Sequence, residues 1–163
     1  MLAYYLGAEA AFLIGTLSDK IFALFWPPNV ILFCGLLLVP QRKWPVYITA
    51  AFVAHVAAET RVGMPATQLL VAFLTNCMVA CLNAYFIRRL IGGPPWLGTL
   101  RATILYILIT VGVSPVLSAF GGAVVPIMGG GTTSDYWVFW GHWYLGECAA
   151  QSHARAGFPN LVR

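Results

Sequence analysis

The sequence predicts an all-α fold: a polytopic transmembrane helix bundle of about six helices, with the second broken at Pro27-Pro28. Three observations carry this. The 163 residues are 60% hydrophobic and only 9% charged, where a soluble domain averages about 25% charged. The mean hydropathy is +0.81. The apolar residues fall into runs close to the ~20 residues that a helix needs to cross hydrocarbon. Such a composition excludes an ordinary water-soluble globule and a disordered chain. The length fits one domain and leaves no room for a soluble catalytic domain beside the apolar runs.

The first span is Leu2–Leu17, slightly short and carrying Glu9. Its start lacks positive charge and Glu9 interrupts the apolar run, so it reads as a retained helix and not a cleaved signal peptide. The second span, 21–39, is cut by Trp26-Pro27-Pro28. Proline has no backbone N–H and clashes with the preceding turn. The stretch is either a short helix from Asn29 after a dipping loop, or one broken helix. Trp44–Glu59, Ala66–Leu90, 101–125 and 135–150 are the third to sixth spans. Residues 1–150 form the membrane domain. Residues 151–163 turn polar and basic, and are expected to be a short cytoplasmic tail with no output domain behind it.

The net charge of +4 comes from nine Lys and Arg against five Asp and Glu. With six crossings, Arg42, Lys43, Arg88, Arg89, Arg101, Arg155 and Arg163 fall on one side, and only Lys20 and Arg61 on the other. That bias places both termini in the cytoplasm. Trp26, Trp44, Trp96 and Trp137 lie near span ends, as interfacial anchors do. The basic residues do not form a patch interleaved with aromatics, so nucleic acid is not an expected partner. The lipid bilayer is.

Close packing of helices in lipid needs small residues. The fifth span supplies Ser114, Ser118 and Gly122, and Pro115 should kink it and free the carbonyl of Val111. In the fourth span Ala72, Asn76, Ala80, Asn83 and Ala84 share one face. These two faces are expected to make the tightest helix contact.

An ionisable side chain at the bilayer centre costs about 2.5–3.5 kcal/mol on insertion scales. Counting ~1.5 Å per residue puts Glu9, Asn76 and Glu147 near the midplane and His55 and His142 in the outer half. Lipid exposure of any of them is expensive, so Glu9, His55, Asn76, His142 and Glu147 are expected to line one interior polar cavity. His55 and Glu59 are i,i+4 and fit a hydrogen-bonded pair at a helix end better than a metal site, because nothing fixes a four-ligand geometry. No metal and no cofactor is expected. Cys34, Cys77, Cys81 and Cys148 lie in apolar segments, where a thiol packs as a small hydrophobe. The glycines of Gly129-Gly130-Gly131-Thr132-Thr133 lack the lysine of a phosphate loop, and no HExxH, GxSxG or CxxC motif occurs. The expectation is a protein that is not an enzyme. The rivals are a small transporter or channel subunit whose broken helix lines a binding site, and a membrane enzyme built on His55, Glu59, His142 and Glu147.

Several segments carry a resemblance. Phe25-Trp26-Pro27-Pro28-Asn29, then Arg42-Lys43-Trp44-Pro45, Leu74-Thr75-Asn76, Tyr85-Phe86-Ile87-Arg88-Arg89-Leu90 and Trp143-Tyr144-Leu145-Gly146-Glu147 resemble the bacterial membrane-associated sensor domain, first class (the MASE family). The resemblance covers most of residues 20–150. It implies a multi-helix sensory input module of the inner membrane, coupled to histidine kinase or diguanylate cyclase output. Carried over, the residues for signal input or helix coupling are Trp26, Pro27, Pro28, Asn76, Trp143, Gly146 and Glu147. The family's usual eight helices against the six counted imply a truncated or orphan copy. Its signal would then leave through a separate cytoplasmic kinase or cyclase, and uncovered faces would favour homo-oligomers.

Overall fold

Backbone N–H and C=O groups in lipid find no water, so they pair within helices, and every regular element among the described residues is helical. The computed structural model describes residues 1–17, 26–93 and 97–157. Lys20, residues 21–25, Trp96, Arg163 and the side chain of Arg155, all used above, lie outside them. The helices are α1 (Leu2–Leu17), α2 (Pro27–Leu38), α3 (Trp44–Glu59), α4 (Ala66–Leu90), α5 (Leu100–Met128, in several pieces) and α6 (Tyr136–Gly157).

Local chemistry sets the ends. Pro27 and Pro28 occupy the first turn of α2, where a fixed φ helps and a missing N–H is not needed. The described part of the second span therefore begins at Pro27, two residues before Asn29. Helix α3 ends where Gly63 takes φ +80°, letting Met64 N–H reach back to Glu59 O. Thr99 caps α5, its Oγ1 accepting from Ala102 N–H at 3.1 Å. Within α5, Ser114 N–H bonds Ile109 O, five residues back, through a widened turn just ahead of Pro115. The carbonyl of Val111, which Pro115 leaves without an α-helical donor, accepts from Cys148 Sγ of α6 at 3.4 Å. Helix α6 runs on to Gly157. Gln151 is fully buried within it, so the polar turn in composition at 151 does not mark the end of the packed helix.

Helix α4 sits centrally and packs on α2 and α5, while α1 covers α2 and α3. The expected face of α4 is buried, as are Ser114, Ser118 and Gly122 of α5. Gly121 lies against Thr75 of α4, but Gly122 receives Trp143 of α6. The adjacent glycines thus serve two neighbours. A Cβ on Gly122 would fall 2.0 Å from the Trp143 ring, a position only glycine allows.

Beside an apolar core of Leu32, Phe33, Leu36, Val79, Ile87 and Tyr106, the bundle shows buried polar groups and large exposed apolar side chains, the two informative departures from a soluble protein's pattern. Asn29, His55, Glu59, Asn76, Asn83, Glu147 and Gln151 are buried, while Leu6, Val53, Leu74, Leu108, Phe120 and Leu145 are exposed. By length and composition α4 and α5 are long and apolar enough to cross a membrane. Helices α1, α2 and α3 have 16, 12 and 16 residues, or ~24, ~18 and ~24 Å at 1.5 Å per residue. By length and apolarity together, the described residues thus offer two spans where the sequence counts six.

Candidate functional site

The buried polar residues fall into two groups. The first joins α2, α4 and α6. Asn29, in the opening turn of α2, donates from Nδ2 to Asn76 Oδ1 of α4 at 3.1 Å. The same Nδ2 donates to Glu147 Oε1 of α6. Asn29 is 0%, Asn76 3% and Glu147 3% exposed. Residues 47 and 118 positions apart in sequence are thereby tied through one amide. Gln151 lies one turn further along α6 and Asn83 two turns further along α4, both buried. Among the described residues no cationic side chain pairs with Glu147. Asn29 Oδ1, Glu147 Oε2 and both amide atoms of Asn83 have no hydrogen-bond partner there. Each such atom withdrawn from water is expensive, so this node is where the fold departs most from simple packing.

The second group is His55 and Glu59 on α3. His55 Nδ1 stands 3.9 Å from Glu59 Oε1, an ion-pair distance and not a hydrogen bond. The imidazole is packed between Tyr4 of α1 and Phe73 of α4, ring centroids 6.4 and 5.2 Å away. No side-chain hydrogen bond among the described residues joins this pair to the α2–α4–α6 node, although Tyr4, against the imidazole, lies within electrostatic reach of both Glu59 and Glu147.

Two members of the single cavity expected from the sequence lie away from the interior. Glu9 is half-buried and reaches the turn after α3, where Arg61 donates to it at 2.9 Å and also to Tyr5. Arg61 attracts Glu9 to that end of the bundle, away from the interior. The hydroxyl of Tyr5 and then the charge of Glu9 raise the guanidinium above its usual range. His142 is exposed, because the face of α6 that meets α5 is taken by Trp143. Asn76 and Glu147 do meet, and His55 stands apart with Glu59.

The residues carried over by resemblance are placed as follows. Trp26 precedes α2 and packs edge-on against Phe12 at 5.5 Å. Pro27 and Pro28 face Gly7 of α1. Trp143 fills the Gly122 notch, and Gly146 is buried beside Glu147. Sequence reasoning missed Asn29 as the hub, although no other strongly polar side chain stands between Pro28 and Gln41. It also missed Gln151, whose i,i+4 relation to Glu147 was the available signal. It read Arg88 only as a loop charge. Arg88 donates to the carbonyls of Leu36 at 3.2, Leu37 at 3.1 and Val39 at 2.5 Å, and Trp44 Nε1 adds 2.9 Å to Leu36 O. Together they satisfy the C-terminal end of α2.

Among the described residues no three His, Cys, Asp or Glu side chains converge on a point. A helical domain that faces outward with leucine and phenylalanine, and holds its amides and carboxylates inside, is built for a bilayer. A family model, MASE1, matches residues 1–150. The chain belongs to the MASE1 family, and so is a membrane sensory input domain. Domains of this family are generally paired with cytoplasmic signalling output domains. No curated protein and no solved structure matched.

Proposed function

We propose that this chain is a sensory module without enzymatic activity in the bacterial inner membrane, crossing it six times with both termini in the cytoplasm. Its state is delivered through α6 to a histidine kinase or diguanylate cyclase output. The observation that carries the reading is the Asn29–Asn76–Glu147 tie. A stimulus that changes the contacts of α2 or α4 changes a bond made by α6, the last of the described helices. A ligand shifts such an equilibrium only by its differential affinity for two states, and a node with unpaired polar atoms supplies a place for that difference to arise.

The test is a fusion of the chain, through α6, to a diguanylate cyclase domain. Second-messenger output is compared between the wild type and Asn76→Ala at equal membrane abundance. A changed output is expected. Identical output from both overturns coupling through the node. A transporter reading draws on a different observation: α2 is short, and a buried polar group stands in its first turn, as in discontinuous transporter helices. Solute flux in proteoliposomes above the lipid background would favour it.

A further inference from the structure

The node has a charge that nothing in the bundle balances. Glu147 is almost completely buried, and no Lys, Arg or His pairs with it among the described residues. A buried carboxylate without a counter-charge is not tolerated in a low-dielectric interior, so one positive charge must join it. The groups around it say which kind. Asn29, Asn76 and Gln151 offer amide oxygens, which are hard donors suited to hard cations. The nearest thiol on α6, Cys148, is engaged with the Val111 carbonyl.

We propose that Asn29, Asn76 and Glu147 form a binding site for one small monovalent cation, sodium in preference to potassium. The charge count selects the valence. One carboxylate plus one unit charge leaves the interior neutral, while a divalent ion would leave an excess. The geometry selects the size. Asn76 Oδ1 and Glu147 Oε1 already converge on a single atom, Asn29 Nδ2, and a closely packed point with few oxygens suits a small ion. The amide supplies the exchange. Turning the Asn29 side chain about its last bond replaces Nδ2 with Oδ1, the atom now without a partner. Three oxygens from three helices then face one another, with an ion between them in place of the donated hydrogens. Glu147 Oε2, also unpartnered, completes a second carboxylate contact.

This deepens the sensory reading by naming what the node would sense, but binding is measured with no output domain attached. A failed binding result leaves the coupling reading standing, and a failed fusion leaves the site standing. The experiment is equilibrium binding of radiosodium to the purified full chain in lipid nanodiscs. The pH is fixed and ionic strength is held constant with choline chloride. Expected is saturable uptake of one ion per chain, displaced by lithium more readily than by potassium. Glu147→Gln should weaken it about tenfold or more, since loss of groups merely supporting a metal's ligands already weakens binding 10- to 100-fold. Glu9→Gln should leave it intact. Asn29→Ala is the second variant should Glu147→Gln fail to fold, and it too should weaken uptake. Absence of saturable uptake by the wild type overturns the proposal and leaves a proton as the neutralising charge. Full uptake by folded Glu147→Gln or Asn29→Ala overturns it as well.

Discussion

Asn29 spends one amide nitrogen on two acceptors, so removing either acceptor changes what the other receives. Replacing Asn76 by alanine leaves Asn29 with Glu147 alone. Interhelical hydrogen bonds in membranes average about 0.6 and reach about 1.7 kcal/mol. Asn76→Ala is expected to lower unfolding stability in detergent by that amount, read by chemical denaturation followed by circular dichroism. A second site tests packing. Gly122→Val drives a side chain into the Trp143 indole and should cost about 1–3 kcal/mol, the usual range for overpacking. Trp143→Ala in the same chain should recover part of the loss. The sequence made Asn76 and Glu147 legible because a polar group in an apolar run has few places to go. It left Asn29 unseen as a hub because a residue directly after two prolines reads as a helix boundary and not as a buried partner. His142 and Glu9 went astray for a related reason. Depth along a helix follows from residue count, but rotation about its axis is decided by neighbours: Trp143 claims one face of α6, and Arg61 of the turn after α3 holds Glu9 at 2.9 Å.

Helix boundaries were more legible than helix partners. The bounds of α3 and α4 follow directly from where the apolar runs stop at Glu59 and Leu90. The freed carbonyl of Val111 also followed from Pro115 alone, since proline cannot donate to the residue four before it. The donor that fills the gap, Cys148, comes from 37 residues away, and no local pattern announces it. The same holds for the last turn of α2. Its carbonyls would be orphaned, and they are answered by Arg88 and Trp44 from two other helices. Arg88→Ala should destabilise the domain by about 1.5–3 kcal/mol, the range for hydrogen bonds to charged groups. Arg89→Ala, on an exposed neighbour, should do little. Equal losses in the two variants, compared in the same denaturation assay, would remove the capping role.

At the scale of the whole molecule, the reading of Arg42, Lys43, Arg88, Arg89 and Arg101 as an inward-facing set carries a topological expectation. Compartment-sensitive reporters placed after Gly92 and after Gly130 should report opposite sides of the membrane. The same side for both would remove the six-crossing arrangement while leaving the helix order untouched. Family and helical class were readable from the residues because lipid imposes a narrow choice of structure. The ties between helices were not, because they depend on which faces meet. Those ties are unevenly distributed. Two rivets join α2 to α4, Asn29 to Asn76 near one end and Arg88 to the last carbonyls of α2 at the other. Glu147 is a single pin between that plate and α6. Against α5, by contrast, α6 is seated at several points, with Trp143 in the Gly122 notch, Cys148 on the Val111 carbonyl and Tyr136 on the Phe120 carbonyl, so α5 and α6 would swing together like a door leaf with Glu147 as its latch.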